Sequence, residues 1–496
     1  DHFARVDFQA PAIPPRGLVF DGFDRVIQTT RRDDVVACLR EVERLVNDGC
    51  HAVGFVCYEA AAAFDAALCT HAPSHLPLLW FGVSRRPRVG DAVDVAGTGE
   101  FGPWSAAWSQ EEYDTAFAAV QRHIRDGDTY QLNLTFPLHS AFHGRPAVAY
   151  DRIRAAQAAR YTAMLQTPEW AILSISPELF FTRAGRHIVT RPMKGTRARG
   201  MTTANDAVIA AELERAPKDR AENVMIVDLL RNDLGRIARM GTVRPTALFR
   251  AERYPTVWQM TSTVEAELDD GVALPEIFQA LFPCGSVTGA PKVKTMELIR
   301  RYETQARGVY CGTVGYLAPG GDAVFNVAIR TVTIAGDRAE YPVGSGVVAD
   351  SDGGEEYAEC SMKAAVLERA PAHAFELLET MLWEPAAGYH LLDRHLARLA
   401  DSAAYFDFAV DLDGVRQRLA AAARAWDGCR RVRLLLAADG GVIVESQAHD
   451  PAAQPFRYAV LAAAAVDRND PFLYHKTTRR RVYEEAAAQR PEATEV

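Results

Sequence analysis

The sequence is short of the features that mark several protein classes. Its eight cysteines (Cys38, Cys50, Cys57, Cys69, Cys284, Cys311, Cys360 and Cys429) are scattered through 496 residues. None forms a Cys-x-x-Cys pair or a Cys/His cluster, so neither a zinc site nor a disulfide framework is expected. A reducing, cytoplasmic setting is the simplest reading. Positive charge is also short: 55 Lys and Arg against 64 Asp and Glu leave a net charge of −9. No global basic field favours nucleic acid or an anionic membrane, and an anionic ligand must be held by local cations. Apolar runs such as Ala459 to Val466 are too short to span a bilayer. No charged-then-apolar leader is present, and a start at Asp1 rather than Met reads as a trimmed chain or a fragment. Repeats and low-complexity blocks are lacking. What remains, 48% hydrophobic and 24% charged residues, is ordinary soluble globular composition with length for two or more cores.

Local patterns give an α/β (α+β) organisation. "DDVVACLREVERLVNDG" reads as a helix ending at Gly49, and "HAVGFVCYEA" as a strand. "YQLNLTFPL" alternates strictly, with Tyr130, Leu132, Leu134, Phe136 and Leu138 on one face and Gln131, Asn133 and Thr135 on the other. That polar face suits a cavity wall or a solvated sheet face equally. A break is expected near "ERAPAHAF" (368–375). Beyond it, "HLLDRHLARLADSAAYF" reads as an amphipathic helix, and "VRLLLAADGGVIVES" as a hairpin about Asp439-Gly440-Gly441.

Three features carry chemistry. The helix "PKDRAENVMIVDLLRNDLGRIA" places Asp219 and Glu222 three apart, and "EEYAECSMKAAVLERA" does the same with Glu356 and Glu359, followed by Lys363. One acidic pair is usually a solvated face, but two beside glycine-rich turns suit Mg2+, which takes one or two carboxylates, waters and an anionic substrate group. "FPCGSVTGAPKVKTMEL" sets Gly285, Ser286, Thr288, Gly289 and Lys292 ahead of a helix, as an anion cradle without P-loop spacing. "VGSGVVADSDGGEEYAE" reads as a second glycine turn. "RPMKGTRARG" (191–200) surrounds Lys194 with arginines. Arg191, Arg197 and Arg199 look like surface or anion-binding charges, whereas Lys194 ends an alternating stretch.

With those motifs in hand, the span 110–370 resembles the chorismate-utilising enzymes, a family that includes anthranilate, aminodeoxychorismate, isochorismate and salicylate synthases. "GDTYQLNL", "SPELFF", "RPMKGT", "AENVMIVDLLRNDL", "GSVTGAPK", "CGTVGYL", "NVAIRT" and "GSGVVADSDGGEEYAE" occur in family order. The resemblance implies large antiparallel sheets with flanking helices, a Mg2+-dependent site and chorismate as substrate. Residues 1–110, with "GFVCYEAA", look like the family's N-terminal part, and 111–370 like its catalytic core. No Leu-Leu-Glu-Ser feedback element is evident. Family members that add water to the ring carry lysine where Gln131 stands; glutamine there resembles the ammonia users. Pro192-Met193-Lys194-Gly195-Thr196 resembles the Pro-Ile-Lys-Gly-Thr motif of aminodeoxychorismate synthases, where anthranilate synthases carry alanine in place of the lysine.

The resemblance implies a nucleophilic role for Lys194 at ring carbon C2 and a general-acid role for Glu178 toward the leaving C4 hydroxyl. The lysine must be neutral to attack, and Arg191, Arg197 and the metal are expected to help depress its pKa. Glu222 and Glu359 are implied as Mg2+ ligands, with Asp219 and Glu356 assisting. Thr288, Tyr310, Arg330, the Gly344-Ser345-Gly346 turn and Lys363 are implied for chorismate's carboxylates. Three departures stand out: Asp219 for the commoner glutamate, Gln259 for a frequent histidine, and Cys284 and Cys360 for Gly and Thr. Since no Gly-x-Cys-x-Gly elbow is present, ammonia is expected from a separate glutamine amidotransferase.

Residues 373–496 resemble the start of the aminodeoxychorismate lyase and branched-chain aminotransferase group. "YHKTTRRRVYEEA" matches its Schiff-base lysine segment, implying Lys476 for pyridoxal phosphate and Arg398 for the phosphate. The sequence stops twenty residues after Lys476, and the group's second half is missing. The expectation is a synthase–lyase fusion whose lyase part is truncated or degenerate and inactive here. Competing readings are an anthranilate synthase, a non-catalytic scaffold, and a pyridoxal-phosphate aminotransferase with an inert N-terminal partner.

Overall fold

The computed structural model describes residues 2–90, 97–364, 367, 375–450, 461–462 and 465–489. Most of the break expected at 368–375 therefore lies outside the described residues, as does part of the helix expected over 355–370. The chain divides into two compact units. The first comprises Asp1–Thr196, Leu213–Tyr254 and Trp258–Pro371, so residues 1–110 share one unit with the segment that follows them. The second comprises Arg197–Glu212, Pro255–Val257 and Ala372–Val496.

Unit one is built on an eleven-stranded and a ten-stranded sheet. Period-2 alternation decides how they pack. In the strand His51–Val56, Val53 and Phe55 join a cluster that also takes Ala163, Leu165 and Ile172 from the other sheet. Ala52 and Val56, on the opposite face, meet helix residues Leu39, Val42 and Phe278. The first sheet is covered likewise: Leu132, Leu134 and Phe136 pack under Tyr113, Phe117 and Ile153 of helices Gln110–Arg125 and Pro146–Gln157. The layers therefore run helix, sheet, sheet, helix, with the central strands of both sheets buried on both faces. This agrees with the α/β expectation of large antiparallel sheets and flanking helices.

Three expected helices form where their caps and periodicity place them: Val35–Asn47, with Gly49 at φ +90, Pro217–Gly235, with Pro at its first turn, and Gly353–Ala364. Unit two holds a four-stranded sheet, covered by Leu396, Leu399 and Ala403 of the helix Leu392–Phe406. The expected hairpin joins Arg430–Leu436 to Val442–Ala448, with Gly440 at φ +89. Lys476 is fixed beside this sheet: Leu378 N–H donates to Lys476 C=O at 2.9 Å, and Thr478 N–H donates to Glu376 C=O at 2.9 Å.

One aromatic node concentrates packing in unit one: Phe278 contacts the rings of Phe64, Phe180, Phe181, Phe282 and Phe325. It is fully buried. Phe278→Ala should destabilise unit one by about 3–5 kcal/mol, from lost transfer energy plus the cavity left behind. Denaturant unfolding followed by fluorescence would check this, with a lowered midpoint expected for that unit's transition.

Candidate functional site

The site is assembled in unit one around a ten-residue antiparallel ladder between strands Gln131–Gly144 and Arg338–Val347. Leu132 and Leu134 point into the core, which turns Gln131, Asn133 and Thr135 to the other face. All three are buried, so this face is a wall rather than a solvated surface. Gln131 is fully buried, and neither its amide oxygen nor its amide nitrogen has a hydrogen-bond partner. An unpaired buried amide costs about 1–3 kcal/mol, which marks Gln131 as a group held ready for something absent.

The Gly344-Ser345-Gly346 stretch is not the turn the sequence suggested. It lies inside the strand, paired with Thr135, Leu134 and Asn133. Its glycines serve close approach instead. A Cβ on Gly346 would lie 2.9 Å from Lys194 Nζ and 3.3 Å from Gln131 Nε2. Lys194 and Gln131 therefore meet over one bare backbone position. Between the glycines, Ser345 Oγ is 3.0 Å from the Tyr113 hydroxyl.

Lys194 stands on the strand Met193–Ala198. It keeps a path to solvent, yet burial lowers its pKa, against the attraction of Glu222, Glu178 and Glu359, and Lys363 lowers it further. Of the expected helpers, Arg191 faces Glu252 at 3.4 Å. Glu178 is 3% exposed, beside buried Leu179, Phe180 and Phe181. Burial raises its carboxyl pKa to about 7, although Ser286, Lys194 and the Met193 backbone N–H favour the charged form. Ser286 Oγ donates to Glu178 Oε1 at 2.6 Å. The pocket thus pushes its amine and its carboxyl toward neutrality.

The two acidic helices face this pocket. Burial raises the Glu222 pKa, and Asp219 and Glu356 raise it further, opposed by Lys194 and Lys218. Burial would raise Glu359 as well, but Lys363 holds it below the ordinary range, with Nζ 2.6 Å from Glu359 Oε1. Lys363 also donates to Gly344 C=O at 2.7 Å. Asp219 is packed against Gly195, whose Cβ would lie 2.9 Å from Asp219 Oδ1. Glu356 accepts from Ser351 Oγ at 2.7 Å. Asp219 and Glu356 thus repel the Glu222 carboxylate, and carboxylate oxygens are the hard donors that a divalent cation takes. Among the described residues no group of three or more His, Cys, Asp and Glu side chains is placed to hold a metal ion.

The remaining expected groups have the following surroundings. Thr288 is fully buried; its hydroxyl donates to Cys284 C=O at 3.0 Å, and its carbonyl accepts from Asn133 N–H at 2.8 Å. Tyr310 is 5% exposed, with its phenol pKa pushed well up by burial. Arg330 sits at φ +51, an uncommon conformation for a side chain of its size, and acts on Glu359 and Tyr341. Gln259 accepts from Thr196 Oγ1 at 3.0 Å.

Two further sequence readings fail. Lys292 binds Asp233 at 3.1 Å and Leu281 C=O at 3.2 Å rather than serving the anion loop. Arg199 is neither a surface charge nor an anion holder: it is buried in unit two against Asp206 and stacks on Tyr405. Ser286 was noted only as part of a loop, because nothing in its spacing ties it to Glu178.

In unit two, Glu379 is 1% exposed and accepts from Arg398 Nε at 2.7 Å, while His395 Nδ1 lies 2.7 Å from the same carboxylate. Burial lowers the Lys476 pKa, Glu379 opposes this, and Arg398, Arg480 and Arg431 add to it. Lys476 and Arg398 are thus brought into one electrostatic neighbourhood.

Comparisons with known proteins fit this geometry. Residues 376–496 match the amino-transferase class IV family. Aminodeoxychorismate synthase component 1 of Bacillus subtilis (strain 168) is 39% identical over 269 residues, covering 54% of this chain and 57% of that protein. Anthranilate synthase component 1 1 of Haloarcula marismortui is 39% identical over 262 residues, covering 53% of this chain and 54% of that protein. The chain thus spans little more than half the length of the curated relatives it matches. Anthranilate synthase component I from Streptococcus pneumoniae TIGR4 shares the fold, with a TM-score of 0.61 at 24% identity over 74% of this chain and 90% of that one. Residues 90–369, more than half of the sequence, match the family described as chorismate binding enzyme, and the chain belongs to that family.

Proposed function

We propose that the chain is an aminodeoxychorismate synthase component, converting chorismate and ammonia to 4-amino-4-deoxychorismate for para-aminobenzoate and folate synthesis. The observation that carries this is Lys194 meeting the unpaired Gln131 amide over Gly346, in a pocket that also holds a near-neutral Glu178. Neutral Lys194 attacks C2, the ring double bonds shift, and the C4 hydroxyl leaves as water with the proton of Glu178. Ammonia, oriented by Gln131, then attacks C4; the double bonds shift back, the C2–N bond breaks to release Lys194 as the neutral amine, and the proton shed by the new C4 nitrogen returns to Glu178. Each displacement is easier than a single direct exchange at C4. Thr288, Tyr310, Arg330, Lys363 and the Gly344–Gly346 backbone seat the two carboxylates, Arg330 through its forked guanidinium.

Glu222 and Glu359 would hold Mg2+, assisted by Asp219 and Glu356, and the ion would supply positive charge to a substrate carboxylate. Residues 1–110 and 111–370 form the synthase, and 373–496 a lyase-like part in which Lys476 and Arg398 would hold pyridoxal phosphate. That group would supply an electron sink for elimination; the buried Glu379 fixes Arg398 by accepting from its Nε and Nη2. Relatives named component 1 support a partner, which we take to be a glutamine amidotransferase subunit delivering ammonia. Eight free cysteines, and no helix among the described residues long and apolar enough to cross a membrane, support a cytoplasmic setting.

The decisive experiment supplies the purified chain with chorismate, Mg2+ and ammonium and identifies the product by mass and absorbance. Aminodeoxychorismate is expected; anthranilate would overturn the reading and assign the chain to the other group of its relatives. Lys194→Ala should abolish aminodeoxychorismate formation or divert product to anthranilate, and unchanged turnover would remove the lysine as nucleophile. Gly346→Ala should leave the fold intact, because the new methyl meets only the flexible ends of Lys194 and Gln131. It should nevertheless cost about 100-fold in kcat/KM, the scale of a misplacement near 1 Å. At constant free ammonia, kcat/KM should fall as pH rises through about 7, where Glu178 loses its proton. Turnover should also fall as pH drops through the lowered pKa of Lys194, where the amine takes up a proton. A profile flat across neutrality would exclude Glu178 as the acid.

A further inference from the structure

The "CYEA" segment noted in the sequence plays no part in the reaction above, yet the structure ties it to the site through a buried arginine. Arg307 and Glu303 side chains are 2% and 4% exposed and lie 2.6 Å apart. Arg307 Nε also donates to the second oxygen of Glu303 at 2.8 Å, a paired contact that fixes the guanidinium plane. With that plane set, Arg307 Nη1 donates to Val287 C=O at 2.8 Å and Nη2 to Asn133 C=O at 2.7 Å. These carbonyls flank the binding groups: Val287 precedes Thr288, and Asn133 follows Gln131 by two residues on the same strand. Glu303 closes the loop by accepting from Thr135 N–H at 2.9 Å and from its hydroxyl at 3.0 Å.

Glu59, 3% exposed, holds the arginine from behind. Its carboxylate accepts from Arg307 N–H at 2.8 Å and Gly308 N–H at 3.0 Å. The Tyr58 ring lies 4.7 Å from the guanidinium on its face. Burying a guanidinium and two carboxylates is costly unless each is fully paired. A structural core of this family of contacts could be made of apolar side chains at less cost. What a planar fork offers, and an apolar side chain cannot, is a fixed distance between two backbone segments.

We propose that Arg307 is a positioning residue that sets the Thr288 loop and the Gln131 strand at the separation needed to seat chorismate and ammonia, with Glu303 and Glu59 orienting it. This rests on the function proposed above for Thr288 and Gln131. Lys194, Glu178 and the acidic helices are not bonded to Arg307, so the clamp acts on binding rather than on the lysine chemistry.

The test compares Arg307→Lys and Glu303→Gln with wild type in the full-length chain. Lysine keeps the charge but cannot span both carbonyls and Glu303. Losing one hydrogen bond to a charged group should raise KM for chorismate and for ammonium by roughly tenfold or more, with kcat kept within about threefold. Hydrogen exchange should quicken in 131–135 and 285–290 and stay unchanged elsewhere. A purely structural role would lower kcat with the folded fraction and leave both KM values alone, and that result would overturn the proposal. If Arg307→Lys does not fold, Glu303→Gln decides: a raised KM supports the clamp, and an unchanged one overturns it. Should wild type not aminate chorismate, the proposed function fails separately, while exchange at 131–135 still decides whether Arg307 fixes these segments.

Discussion

Loss of hydration in one pocket is the constraint on which the rest depends. An amine and a carboxyl in water would both be charged near neutral pH and would pair. Burial works against both charges: it pushes Glu178 up to about 7 and Lys194 down. One pKa unit is worth about 1.4 kcal/mol, so shifts of this kind must be opposed by the packing that enforces burial. That packing is the wall of Leu179, Phe180 and Phe181 on one side and the doubly covered ladder of 131–144 and 338–347 on the other. The large sheets are thus the means by which Glu178 is kept from water and Lys194, half-buried, is partly desolvated near it.

The same constraint explains the glycines. A strand buried on both faces ordinarily carries β-branched or aromatic side chains. Here, Gly344 and Gly346 interrupt that pattern in the centre of a sheet, at a cost to strand stability. Side chains at these positions would fill the space into which Thr135, Lys194 and Gln131 project. Gly195 does the corresponding service for Asp219, and there the backbone also needs its φ of +88.

Much of this was legible in the sequence because period and spacing act locally. The alternation in "YQLNLTFPL" assigned Gln131 and Leu132 to opposite faces, and the pairs Asp219/Glu222 and Glu356/Glu359 were separated by one helix turn. Contacts made across long stretches of chain were not legible. Lys292 stands in a glycine-rich segment and reads as an anion binder, but its partner Asp233 lies 59 residues away; Arg199 reads as a surface or anion-binding charge, and its partner Asp206, seven residues on, is set by how the following helix packs back. Glycine near glycine was read as a turn at 344–346, since a local pattern does not reveal that lysine and glutamine side chains approach from other strands. Glu59, Glu303 and Arg307 lie up to 248 residues apart in the sequence and meet only in the fold.

Both units apply one electrostatic rule to a lysine. A carboxylate beside an amine normally keeps it protonated, which is the wrong state for a nucleophile. In unit one, Glu359 is already engaged by Lys363 at 2.6 Å, so part of its negative charge is spent before it acts on Lys194. In unit two, Glu379 is engaged by Arg398 and by His395, and Lys476 is left with a lowered pKa despite the buried carboxylate nearby. Burial is the larger influence on each amine, and the second cation adds to it: it offsets part of a carboxylate–lysine attraction that low-dielectric surroundings strengthen.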